Sequence, residues 1–474
     1  MAGFRRAWPI LLLALAWGLL PALPALLTGE LIGSPWTDLY PSVWGMWWFA
    51  SQQPGLPEHC QQLAAPEGMP FYYSSPLHGW FATPLIPLLG VPATWNLGVL
   101  TARIATVLCA FGAARAWGLE RSGALVAAAI YGCAPFFHGY AVEGIVEGLD
   151  GWSLALFLWA HARRRTGWAM LAFGVTVISS WYLGAVACLI AVFLGRRGWL
   201  AMLGGLCLAS PFMASFLGSF SEREALDPAV RRAMGTDIFP SIPGLLSDNP
   251  FAKTSWLGLL APALAIWGRR WRLGLLLVLF WVLSLGLLPS PLRFAYRLHA
   301  GALVVLALMA GQVAQRWRHG GWLALAVVAE GLLLSPVEPL LPSAPSRAEA
   351  VYASLPEGPV LDIPGPLAMP PGVLNPSRPR ARWFLYQQVF HGQASAWAPD
   401  FNAVGVSSED GLDSVRALDP ALDGPLPSSL DLPDVSVVLH ERELRGNLEP
   451  ARGLLSAEGF SPVLSADGRS LWLR

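Results

Sequence analysis

Stretches long and apolar enough to cross ~30 Å of hydrocarbon recur along this chain, and arginines punctuate the gaps between them. The windows fall at 8–27, 92–114, 121–137, 149–161, 200–219, 254–268, 273–288, 296–315 and 321–336. Lipid offers no hydrogen bonds, so segments of this kind cross it as helices whose backbone groups pair internally. Composition agrees with that constraint. Of 474 residues, 54% are hydrophobic and 13% charged, against about 25% charged in a soluble domain. The opening "MAGFRRAWPILLLALAWGLLPALPALL" resembles a signal peptide, but its apolar run is long and many spans follow, so a retained first span is expected. A net charge of zero gives no electrostatic case for nucleic acid. The five cysteines show no metal-ligand spacing and none lies in the polar tail, so no disulfide framework is implied.

Arginine sets the expected orientation. Arg5–Arg6, Arg115 with Arg121, Arg163–Arg165, Arg196–Arg197, Arg269–Arg270 with Arg272, and Arg316 with Arg318 sit in short connections. If all of these face the cytoplasm, the spans alternate correctly only when 167–195 enters and leaves on that same side. The polar break "ISSWY" in its middle then marks the tip of a hairpin of two short helices. The expected fold class is mainly α: about nine full spans plus this cytoplasmic-side hairpin, with the N-terminus cytoplasmic. Residues 28–77, 138–150, 220–253, 289–295 and everything after about 337 are then outward.

Composition turns polar after the proline-rich "SPVEPLLPSAPS". The expected domains are 1–336 in the membrane, including the outward loop 28–77, a linker 337–346, and an outward α+β domain 347–474. Within the last, "GPVLDIPG", "VSVVLH" and "FSPVLSADGRSLWLR" read as strands. The third is a hairpin turning at Asp467–Gly468. "EPARGLLSAEG" reads as a helix ended by Gly459.

Chemistry-bearing residues gather in the outward segments. "SPWTDLYPSVWGMWWFASQQPG" places Asp38 just past the first span and follows it with Trp44, Trp47 and Trp48. These indoles suit a helix lying in the membrane interface, and Asp38 either caps that helix or serves as a reactive acid. Glu143, Glu147 and Asp150 are spaced i, i+4, i+7; on a helix they would repel and call for a cation or arginine. Gly144, Gly148 and Gly151 interrupt that spacing, leaving a solvated loop, a cap at Asp150 or a ligand site all open. Arg293, Tyr296 and Arg297 stand at the mouth of a span, shaped either to hold phosphate oxygens or to snorkel into headgroups. "FYYSSPLHGWFATPL" adds Tyr72, Tyr73 and His78 as interfacial groups. Arg103 and Glu330 fall inside spans, where charges face a protein interior and either pair together or mark a conduit. Walker, HExxH, GxSxG and dinucleotide motifs are absent.

In order, "WTDLYPSVWGMWW", "APEGMPFYYSSPLHGWFATPLIPLLGVPATWNLGVL", "ISSWYLGAVACLIAVF", "PLRFAYRLHAGALVVLALMAG" and the tail segments "LPEGPVLDIPG" and "YQQVFHGQ" resemble the GT-C superfamily of integral-membrane glycosyltransferases. The match is closest to bacterial multi-span members and extends over nearly the whole chain. The resemblance implies transfer of a sugar from a polyprenyl-phosphate donor to a glycan, lipid or protein acceptor on the outer face of the bacterial cytoplasmic (inner) membrane, in cell-envelope polysaccharide biosynthesis. It implies Asp38 as catalytic base or as a metal and acceptor ligand, Glu143, Glu147 or Asp150 as a second acid, acceptor or metal ligand, and Arg293, Arg297 and Tyr296 as ligands of the lipid phosphate. It fixes no cofactor, and a divalent cation (Mg or Mn) is left open. There is no paired-acid motif around Asp38. Two other classes stand beside this one: a transporter or flippase for a lipid-linked glycan, and a non-catalytic assembly or scaffold protein.

Overall fold

The computed structural model of the chain describes residues 2–52, 55–56, 59–220, 254, 256–267, 271–284, 295–317, 319–365, 378–397, 412–422, 424–430, 432 and 434–474. It divides into two compact units, Met1–Leu39 with Tyr73–Pro345, and Tyr40–Tyr72 with Ser346–Arg474.

The first unit is helical. Its helices are α1 (Ala2–Leu19) and α2 (Leu23–Thr28), and then, after α3 (Leu39–Ser51) of the second unit, α4 (Pro76–Ala82), α5 (Ile86–Leu89), α6 (Val91–Ala116), α7 (Arg121–Gly132) and α8 (Pro135–Glu143). There follow α9 (Gly151–Ala162), α10 (Thr166–Ser179), α11 (Trp181–Phe193), α12 (Arg196–Phe220), α13 (Leu260–Trp267), α14 (Trp271–Ser284), α15 (His299–Ala314) and α16 (Gly320–Leu333). Among the described residues, five segments are long and apolar enough to cross a membrane: Trp8–Thr28, Val91–Ala116, Arg121–Glu143, Arg196–Ser215 and Tyr296–Ala314. The protein is thus an integral membrane protein built mainly of helices. Nine full spans are not established by these lengths. Thr166–Ser179, Trp181–Phe193, Leu273–Ser284 and Gly320–Leu333 are shorter, and 14 residues rise only about 21 Å.

Helix α6 packs on α1, α7 and α9, while α7 also packs on α15 and α16. Helices α7 and α15 meet at glycines: a Cβ on Gly123 would stand 2.3 Å from the Gly311 carbonyl oxygen, a backbone approach that only small residues permit. The break expected in 167–195 is present. Ser180 is extended (φ −162°, ψ 120°), and its Oγ accepts from Leu183 N at 3.4 Å to cap α11. A Cβ on Gly184 would lie 3.1 Å from Val177 Cα, so the two legs fold back on each other. Gly204 meets Met170, and Gly174 meets Gly205 and Leu208, so α12 runs beside α10 in the same direction.

Strand β1 (Leu31–Ile32) sits in the loop after α2. The second unit holds β2 (His59–Cys60), paired antiparallel with β3 (Met69–Pro70), and β4 (Ser343–Ala344) pairs back with β1 in the first unit. Leu341 N donates to Pro21 O and Gly33 N to Pro342 O, so residues 341–344 of the expected linker are bonded into the first unit. The tail forms a four-stranded sheet, β5 (Val360–Ile363), β6 (Ser436–His440), β7 (Ser461–Ala466) and β8 (Arg469–Leu473), in the order β5-β6-β8-β7. Strand β5 runs parallel to β6 and the other pairs are antiparallel. Every residue of β6 is buried, as befits a strand covered on both faces. The Asp467–Gly468 turn has positive φ at both residues (54° and 78°), as a type I′ hairpin requires. Helix Leu448–Ala457 ends before Gly459, at φ 87°.

The tryptophan helix corrects an expectation. Residues 40–72 of the presumed membrane loop belong with the tail. Trp44 and Trp48 are fully buried, stacked on each other and edged by Phe71. Trp44 Nε1 donates to Gln388 Oε1 at 2.7 Å, and Gln388 Nε2 donates to the Gln62 and Gln393 carbonyls at 2.6 and 2.9 Å. Trp47 is partly exposed, and Tyr72 is buried. A helix that is apolar all round needs an apolar surround, and here protein supplies it.

His391 gives this unit a pH dependence. It stacks on Tyr352 at 5.5 Å, and its Nδ1 accepts from Gln393 N at 3.1 Å. Burial lowers its pKa from 6.5 to about 4, against a smaller raising effect of Asp362. A base depressed in the folded state adds nothing to the pH slope above 6.5. Below that the unfolded chain takes up the proton first, so stability declines between 6.5 and about 4 and levels off beneath. Thermal unfolding of the tail across pH 4–7 should show this decline, and His391→Phe should flatten it.

Candidate active site

The loop that carries Asp38 is fastened at several points within the first unit. Gly29 ends α2 in the left-handed conformation (φ 70°). Asn96 of α6 accepts from Ile32 N at 2.9 Å and donates to Glu30 O at 2.7 Å, while Trp95 Nε1 donates to Ile32 O at 3.0 Å. Further along, Ser34 N donates to Val142 O at 2.7 Å. The Glu143 carbonyl accepts both Thr37 Oγ1 at 2.8 Å and Asp38 N at 3.0 Å. Gly144 (φ 67°) allows this approach, since a Cβ there would lie 2.5 Å from Leu39 Cα. Asp38 is half-buried and immediately precedes α3. Asp38 and Glu143, 105 positions apart in the chain, are therefore backbone neighbours.

Glu143, Glu147 and Asp150 do not share a helix face. Glu143 ends α8, Glu147 lies in a single 3-10 turn (Val146–Gly148), and Asp150 precedes α9. Gly148 supports the Tyr140 ring so closely that a Cβ would reach 2.1 Å from it. The glycines that argued against a helix are sites of close packing. The cation demanded by these acids is present: Glu147 forms an ion pair with Arg297. The Arg297 guanidinium is buried with its Cζ 4.4 Å from the Tyr182 ring centre, 5.7 Å from Tyr140 and 6.0 Å from Tyr296, distances at which cation–π attraction operates.

Asp150 takes the N-cap position of α9, yet its carboxylate makes no capping bond. Its Oδ1 stands 3.1 Å from His78 Nε2 and accepts from Trp152 Nε1 at 2.8 Å. Its buried Oδ2 has no hydrogen-bond partner among the described residues. His78 and Tyr73, expected at a lipid interface, are buried instead. Burial raises the Tyr73 pKa well above 10, and the charges of Asp150 and Glu147 raise it further, so Tyr73 stays a neutral phenol. The hairpin tip joins the cluster: Ser75 Oγ reaches Ser179 O at 3.4 Å, Ser153 Oγ lies 3.1 Å from Ser179 Oγ, and Tyr182 faces Arg297.

The fold thus collects Asp38 beside Glu143 by backbone contact, Glu147 with Arg297 and Tyr296, and Asp150 with His78. Arg293 lies outside the described residues. Trp44, Trp47, Trp48 and Tyr72 belong to the second unit. Tyr140, Tyr182 and Trp152 were not singled out from sequence; only the polar break before Tyr182 hinted at its place. Arg103 and Glu330 are not partners. Arg103 donates to Trp17 O at 2.7 Å and lies 3.1 Å from His138 Nδ1, whereas Glu330 accepts the Leu260 N–H at the start of α13. Among the described residues no three His, Cys, Asp or Glu side chains gather to hold a metal.

No family sequence model matches the chain, and no curated protein matches it in sequence. Solved structures do. The cryo-EM structure of the arabinofuranosyltransferase AftD from mycobacteria superposes with a TM-score of 0.60 over 99% of this chain, at 16% identity. This chain spans 40% of that protein's length. The archaeal oligosaccharyltransferase AglB from Archaeoglobus fulgidus, in complex with an inhibitory peptide and a dolichol-phosphate, gives 0.52 over 93% of this chain and 70% of its own, at 11% identity. A crystal structure of the Archaeoglobus fulgidus oligosaccharyltransferase with Zn and sulfate gives 0.51, covering 99% and 73%, at 12% identity. The chain has the fold of the GT-C glycosyltransferases.

Proposed function

We propose that this protein is a membrane glycosyltransferase that moves a sugar from a polyprenyl-phosphate donor to an acceptor at the outer surface of a bacterial cytoplasmic membrane. The observation that carries the proposal is the cluster in the first unit: the loop bearing Asp38 is bonded to the backbone of Glu143, and Glu147, four residues further on, pairs with the buried Arg297. The GT-C fold is compatible with it, and because a fold alone hosts many chemistries the site must supply the rest.

In this mechanism the acceptor hydroxyl oxygen attacks the anomeric carbon, and the bond from that carbon to the phosphate oxygen breaks. Asp38 takes the hydroxyl proton, an effect worth about 10²–10⁴ in rate. Arg297, with Tyr296 beside it, meets the charge that grows on the departing phosphate. Asp150, held by His78 and Trp152, offers its second oxygen to a sugar or acceptor hydroxyl. In this reading the N-terminus is cytoplasmic and the tail faces outward. A glycan transporter is less well supported, because the two intramembrane charges that favoured it each have a local partner. Deleting the gene should cause a polyprenyl-phosphate sugar to accumulate in lipid extracts of intact cells and its glycan product to disappear. An unchanged profile of both would count against transfer.

A further inference from the structure

We propose that Glu147 is a built-in stand-in for the donor's phosphate: it occupies Arg297 in the empty enzyme, yields it to the donor, and reclaims it to expel the product. The inference rests on the reading of Arg297 as the phosphate ligand. A buried guanidinium without a counter-ion is strongly unfavourable, so an arginine meant for an anionic lipid needs a substitute anion between turnovers. Glu147 meets that need: its Oε2 accepts from Arg297 Nη1, and a carboxylate, like a phosphate, is an anionic oxygen acceptor that guanidinium recognises.

The geometry says which partner gives way. Arg297 keeps 7% of its side chain exposed, within reach of three tyrosine rings, while Glu147 keeps 22%. The turn beneath Glu147 is held by Gly144 against Leu39 and by Gly148 against Tyr140. Release therefore means rotation of the Glu147 side chain with the backbone in place. Charge stays balanced through the exchange. A phosphodiester-linked donor brings one negative charge in place of one carboxylate. The leaving monophosphate carries close to two at neutral pH, which would hold it on Arg297 were no competitor anchored alongside.

The test uses the full-length protein in detergent with farnesyl phosphate as the probe, and a lipid-linked sugar donor for turnover. If Glu147 holds Arg297 about nine-tenths of the time, apparent affinity is reduced about tenfold. Glu147→Gln should then bind farnesyl phosphate about tenfold tighter, lower the donor KM, and lower kcat with stronger product inhibition. Arg297→Lys should weaken binding in either background. Loss of binding in Arg297→Lys with unchanged or weaker binding in Glu147→Gln would overturn the stand-in role alone. Unchanged binding in Arg297→Lys would overturn the phosphate assignment and the inference with it.

Discussion

Asp38→Asn should reduce sugar transfer by about 10²–10⁴ while leaving the protein folded and inserted. The amide matches the carboxylate in shape but cannot accept the acceptor's proton at neutral pH. Fold retention is expected because backbone atoms and other side chains fasten this loop at several points. Asp38 N meets the Glu143 carbonyl, which also takes Thr37 Oγ1, and Asn96 and Trp95 fasten Glu30 and Ile32. Initial transfer rates, with thermal unfolding of the same preparation, check both halves. Undiminished transfer would remove Asp38 as the base.

Arg297→Leu should have the second largest effect, and on two quantities at once. Removing the guanidinium takes the ion-pair partner from Glu147 in a partly buried turn, near the neutral Tyr73 phenol. Because Glu147 is 22% exposed and can rotate toward solvent, breaking the pair from one side should cost less than the about 3–5 kcal/mol of a fully buried pair, to be read in thermal or denaturant unfolding. Transfer should also fall, through loss of the phosphate ligand. The double variant Arg297→Leu with Glu147→Gln separates the two effects. It should recover most of the stability, since no charge is left stranded, and little of the activity. Recovery of both would make Arg297 a structural residue only.

Local signals in the sequence carried most of what proved correct. The tail strands, the Asp467–Gly468 turn, the stop at Gly459 and the break at Ser180 each depend on a few adjacent residues, and backbone preference decides them. Pairings across the chain were harder to see. Glu147 and Arg297 are 150 positions apart; the need for a cation near the acids was legible, but which arginine would answer was not. His78 and Asp150 looked like an interfacial ring and a cap, because nothing in either segment points to the other. The tryptophans of α3 show a limit of a different kind. Apolar residues on every side specify an apolar surround, and sequence alone does not say whether lipid or protein provides it. Gln388, far along the tail, supplies the polar partner for Trp44.

The most direct test of the account is a cryo-EM map of the protein with a non-transferable lipid-linked sugar analogue bound. The phosphate should lie against Arg297, and the anomeric carbon should sit where an attacking hydroxyl is within about 3 Å of the Asp38 carboxylate. Analogue density on another face of the helices, with Asp38 remote from the sugar, would contradict it.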